Sequence, residues 1–108
     1  MREAVIIKSK ALIVDNEIET LKALEDTLVE MGIEVVCCSS AEEALAVVCS
    51  DQEFNYIISD FNMRDTNGIQ LYNKINHLIS ANFILITNRY NLNEPEFMPF
   101  FAADNTFI

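Results

Sequence analysis

Asp15, Asp60 and Thr87 each close a short apolar run. Ala11-Leu12-Ile13-Val14 leads into Asp15, Tyr56-Ile57-Ile58-Ser59 into Asp60, and Phe83-Ile84-Leu85-Ile86 into Thr87. Two carboxylates and a hydroxyl brought together define a chemistry. Carboxylates side by side repel one another unless a proton or a cation lies between them. An oxygen-only set suits Mg²⁺, which takes one or two carboxylates and keeps several waters. Asn16 and the backbone carbonyl of Asn62 can supply further oxygens. A carboxylate is also a nucleophile toward phosphorus, forming an aspartyl phosphate. Mg²⁺ and a hydroxyl such as that of Thr87 would steady the charge on the transferred phosphoryl group.

These residues meet only if the runs are parallel strands that deliver their last residues to one edge. The intervening segments fit that arrangement. From Glu17 to Met31 the apolar positions Ile18, Leu21, Leu24, Leu28 and Met31 step by three and four, which predicts an amphipathic helix ending at Gly32. Glu17 and Glu19 suit its positive dipole end. Ile33 to Cys37 reads as a second strand, and Ser40-Ala41-Glu42-Glu43 as a capping box opening a helix that runs to about Ser50. A loop over 60–68 precedes a helix from about Ile69 to Ile79. Residues 88–93 read as a loop, Pro95 suits the first turn of a short helix, and Thr106-Phe107-Ile108 begins a fifth strand. The alternation predicts an α/β fold: a doubly wound, five-stranded parallel sheet in the order 2-1-3-4-5, with its ligand crevice between the ends of strands 1 and 3. The last helix of such a fold is expected to be missing after Ile108.

The chain has 108 residues, of which 51% are hydrophobic, enough for one packed domain over 1–108 and too few for two. Seven Lys and Arg against seventeen Asp and Glu give a net charge of −10. That balance disfavours direct contact with nucleic acid or anionic lipid and favours a divalent cation or a basic surface. No apolar stretch approaches the roughly 18 residues of a membrane span, and Lys8 and Lys10 interrupt any secretory core, so a cytoplasmic protein is expected. Cys37, Cys38 and Cys49 form no C-x-x-C and read as reduced structural thiols. His77 reads as an exposed residue, and Glu25, Asp26 and Glu30 as a solvated helix face.

Taken together the motifs resemble the receiver domain of two-component response regulators, whose sheet is flavodoxin-like. Ala-Leu-Ile-Val-Asp15-Asn16-Glu17 is similar to the first-strand acidic motif of that family. Ile-Ile-Ser-Asp60-Phe-Asn62-Met63 with Gly68 resembles its phosphoacceptor loop. Ile-Leu-Ile-Thr87-Asn88 resembles its fourth strand, and Ala102 to Ile108 the approach to its fifth. The resemblance spans about residues 10–108. It implies that Asp60 accepts phosphate from a histidine kinase or phosphotransfer protein. It also implies that Asp15, Asn16, Asp60 and the Asn62 carbonyl hold Mg²⁺, that Thr87 moves toward the phosphoryl group, and that Phe107 is the aromatic switch partner. The result would be a switched protein-interaction surface around the fourth helix and fifth strand, serving an output domain or a homodimer, and not a turnover enzyme.

Three departures accompany the resemblance. Asn16 stands where the family usually has a second acid. Arg64 replaces the usual Pro after Met63 and adds a cation near the site. The family's phosphate-pairing Lys would fall one or two positions past Ile108, so the domain is expected to be C-terminally incomplete. Asn16 and the absent Lys leave two other readings open: a pseudo-receiver, acting as a phosphorylation-independent interaction module, and a small phosphoryl-transfer or phosphatase enzyme on a similar fold.

Overall fold

The computed structural model describes residues 9–64, 66–86 and 106–107. Five strands form one parallel sheet in the order β2-β1-β3-β4-β5. They are β1 (Lys10–Val14), β2 (Glu34–Cys38), β3 (Tyr56–Asp60), β4 (Asn82–Ile86) and the two-residue β5 (Thr106–Phe107). The helices α1 (Ile18–Glu30), α2 (Ala41–Val48) and α3 (Gly68–Ile75) lie between them. The strand order is the one the alternation predicts. Thr87, Asn88, the loop at 88–93, the short helix after Pro95 and Ile108 fall outside the described residues.

Register settles which residues share a face. Ile13 lies opposite Ile58 and Val14 opposite Ser59. Ser59 lies opposite Leu85, and Asp60 opposite Ile86. Alternation sends Leu12, Val14, Ile57, Phe83 and Leu85 to the layer occupied by Ala44, Val48, Ile69, Leu71, Tyr72 and Ile75 of α2 and α3. This is the main core, with the Tyr72 and Phe83 rings edge to face at 5.2 Å. Ala11 and Ile13 are equally buried on the other face, where α1 packs and contributes Leu21. A strand buried on both faces has no polar alternation, which is why β1 reads as an unbroken apolar run.

Helix boundaries show what local chemistry decides. Gly32 adopts φ +82°, the left-handed conformation that costs glycine least. Its N–H donates to the Val29 carbonyl at 3.0 Å, and the Ile33 N–H donates to the Leu28 carbonyl at 3.0 Å, which together make a Schellman motif. The expected capping box of α2 is only half formed. Ser40 accepts from the Glu43 N–H at 3.1 Å, but the Glu43 carboxylate takes its bond from the Ser39 hydroxyl at 2.7 Å. A complete box sits instead on α3, where Asn67 accepts from the Gln70 N–H at 2.8 Å and Gln70 accepts from the Asn67 N–H at 3.1 Å. The third helix is shorter than its periodicity predicts. After Ile75 it tightens into a 3-10 turn over Asn76–Leu78. On α1, Ile18 and Met31 continue the apolar spacing yet are exposed, because only the middle of that face rests on the sheet.

Candidate functional site

Asp15 follows β1, and Asp60 is the last residue of β3. Val14 pairs with Ser59, so the two acids occupy successive positions at the carboxyl edge of neighbouring strands. Neighbouring strands lie about 5 Å apart, and alternation turns both acids toward the α1 face. This is the switch point: the chain leaves β1 for β2 on one side and β3 for β4 on the other. A cleft of about 200 Å³ opens there, lined by Asp15, Asp60, Glu17 and Thr20 with the aliphatic flanks of Ile58 and Ile86.

Each acid is held by local structure. Asp15 is buried; its own N–H donates to the Cys38 carbonyl at 3.1 Å, and its carboxylate accepts from the Glu17 N–H at 2.8 Å. It therefore fixes the turn into α1 while facing the cleft. Asp60 is anchored from the opposite layer. Ser59 is fully buried and donates its hydroxyl proton to the Asp60 carbonyl at 2.9 Å. The Gly68 N–H donates to the Phe61 carbonyl at 2.8 Å. A Cβ on Gly68 would stand 2.8 Å from the Asp60 carbonyl oxygen and strike the Leu85 side chain, so only glycine lets α3 start this close to β3.

Electrostatics follows from the placement. Burial, with Asp15 and then Glu17 nearby, pushes the Asp60 carboxyl from its ordinary 3.8 up to about 6, against the lowering effect of the Phe61 N–H bond. Asp15 is also raised, mainly by burial, although the Glu17 N–H bond opposes this. Two acids that each resist ionisation in one cleft form, among the described residues, a pocket short of positive charge. Among the described residues no group of three His, Cys, Asp or Glu side chains forms a ready-made metal cage. Mg²⁺ does not need one, because it accepts one or two carboxylates and retains water. The donor set and its unrelieved negative charge fit such an ion.

The other expected ligands stand differently. Asn16 is half-buried and Asn62 exposed, and neither side chain lines the cleft. Asn62 forms an isolated antiparallel bridge with Asn67. Thr87 falls outside the described residues; Phe107 is placed by its backbone, opposite Leu85. Arg64 lies on another wall, with Lys74 and the start of α2, so it is not the cation near the carboxylates that its proximity in sequence suggests. Thr20 was not legible as a lining residue. Its signal is helical spacing: three residues after Glu17, it places its hydroxyl 3.3 Å from the Glu17 carboxylate.

The sequence pattern of the response regulator receiver domain matches residues 11–98. The chain belongs to this family. The response regulator protein FleR of Pseudomonas aeruginosa is 41% identical over 63 residues, 58% of this chain and 13% of FleR. The probable chemotaxis protein CheY of Rhizobium etli is 29% identical over 83 residues, 74% of this chain and 64% of that protein. The chain thus spans less than two thirds of either relative. Among solved structures, a CheY-like receiver domain protein from Methanospirillum hungatei superimposes with a TM-score of 0.83 at 25% identity, over 94% of this chain and 81% of that one. The response regulator TrrA of Thermotoga maritima, solved in complex with Mg²⁺ and BeF, gives 0.77 at 24% identity, over 93% and 85%. The receiver fold and its two-component signalling context are therefore established for this chain, and no helix among its described residues is long and apolar enough to cross a membrane.

Proposed function

We propose that this receiver domain is a phosphoacceptor: Asp60 takes a phosphoryl group from a histidine kinase or phosphotransfer protein, with Mg²⁺ bound. The observation that carries this reading is the pairing of Asp15 and Asp60 at one cleft of the sheet edge, with both carboxyls raised. An Asp60 carboxylate oxygen attacks phosphorus as the phosphorus–nitrogen bond of the donor phosphohistidine breaks. The electron pair leaves with the imidazole, and Asp60 becomes an acyl phosphate. Asp15 and Asp60 would hold the ion, with oxygens of Asn16 and the Asn62 carbonyl completing the protein share. Bound there, Mg²⁺ neutralises the carboxylates and the transferring group. The Ser59 bond and the close seat of Gly68 orient the Asp60 peptide for in-line approach. Thr87 would donate to the phosphoryl oxygens, and Phe107 would follow it as the switch side chain. The Mg²⁺–BeF complex of TrrA, on the same fold, supports this choice of ion. The domain then works as a signalling switch, biasing a protein-interaction surface that an output domain or a second copy reads.

Incubating the full-length protein with Mg²⁺ and acetyl phosphate tests the reading. Intact mass should rise by one phosphoryl group, the increment should vanish with EDTA, and Asp60→Asn should abolish it. An unmodified wild-type protein would leave the domain as a pseudo-receiver; phosphate released over many turnovers would make it an enzyme.

A further inference from the structure

A second cavity, of about 290 Å³, lies between the start of α2 and the loop that follows β3, and it exceeds the carboxylate cleft in volume. Arg64 and Lys74 stand on its wall beside Ser39 and Ser40. The described residues include four cations, Lys10, Lys22, Arg64 and Lys74, so half of them converge here. Lys10 is engaged elsewhere, donating to Gln52 at 2.8 Å and lying over the Phe54 ring at 5.3 Å. Arg64 and Lys74 are paired with no carboxylate among the described residues. With seventeen acids against seven bases in the chain, two cations on one concave wall with no carboxylate partner among the described residues are unexpected. Among the described residues, Glu42 is the one acid that lines the cavity with them. Ser40 already caps α2 through its oxygen, which leaves its hydroxyl proton free to be donated.

We propose that this cavity binds a compact phosphate-bearing anion between the Arg64 guanidinium and the Lys74 ammonium, over the Ser40 hydroxyl at the start of α2. Two cations suit a dianion better than a single carboxylate, and the planar guanidinium matches phosphate with paired N–H donors. The volume lies at the small end of ligand pockets, so inorganic phosphate or a small phosphomonoester fits and a nucleotide does not. The site is distinct from the carboxylate cleft, which alternation places toward α1, and it does not depend on phosphorylation of Asp60. It still bears on that residue, because Met63 and Arg64 belong to the same loop, and occupancy would hold that loop against α2.

Backbone-amide NMR of the Mg²⁺-free Asp60→Asn protein, titrated with inorganic phosphate at constant ionic strength, tests the proposal. Saturable shifts are expected around Ser39 to Glu42, Arg64, Thr66 and Lys74. The Arg64→Ala/Lys74→Ala double variant should bind roughly tenfold more weakly or worse, with the rest of its spectrum unchanged, while Arg64→Lys should retain part of the affinity. The absence of saturable shifts, shifts centred on Asp15 to Glu17, or equal affinity in the double variant would each overturn it. A glutamate-rich peptide serves as a second probe: its binding where phosphate fails would also overturn the proposal and assign the wall to an acidic protein partner.

Discussion

Asp60 carries a cost that its position imposes. Its carboxyl is raised to about 6 in the folded domain, so the native state holds the proton more tightly than the unfolded chain does. Between about pH 4 and 6 the folded state therefore binds more protons, and stability falls as pH rises through that window. Asp60→Asn removes the ionisable group. Without Mg²⁺ the variant should melt above wild type at pH 7, and the gap should close as pH approaches 4; thermal unfolding across pH checks this. A variant less stable than wild type at pH 7 would contradict the strained cleft. Gly68 is decided by contact alone. Gly68→Ala drives a methyl group into the Asp60 carbonyl and the Leu85 side chain, a misfit expected to cost about 1–3 kcal/mol in urea unfolding. Asp15 and Asp60 were legible in the sequence because each ends an apolar run. The reason for Gly68 was not, since it lies in the distance between α3 and β3.

At the scale of elements, the caps separate what sequence can say from what packing decides. The end of α1 at Gly32 was readable, and the Schellman bonds explain it. The Ser40 box was readable too, yet Ser39 captures the Glu43 carboxylate, a competition between neighbours that no four-residue motif reveals. The Asn67–Gln70 box was present in the sequence and is the complete one of the two in the fold. Asn67→Ala should therefore destabilise by about 1 kcal/mol, and by more than Ser40→Ala does, as judged by urea midpoints. It should also slow phosphoryl incorporation, because α3 begins where the Asp60 loop is tied down by Gly68 and Phe61. Ile18 and Met31 mark the limit of periodicity. Spacing assigns them to the buried face, but a thirteen-residue helix outruns the part of the sheet it covers.

For the molecule as a whole, strand order and the meeting of the acids followed from the alternation of elements, while the lining by Thr20 and the turning away of Arg64 required the tertiary fold. The gathered negative charge makes stability depend on counterions. Mg²⁺ should raise the melting temperature at pH 7.5, raise it much less at pH 5 where a proton competes for Asp60, and act weakly on Asp60→Asn. An equal shift in wild type and variant would place the ion elsewhere. The opposite facing of Ser59 and Asp60 has a consequence for assembly of the chain. A slip of β3 by one residue that carried Asp60 into the Ser59 position would bring Phe61 to the cleft and force a carboxylate under α3 among Leu71, Ile75 and Leu85. Burying that charge unpaired is costly enough to reject the slipped pairing. The residue proposed to carry the signal thus also proofreads the sheet, and a chain with Asp60 replaced by an apolar residue should fold with less discrimination between registers.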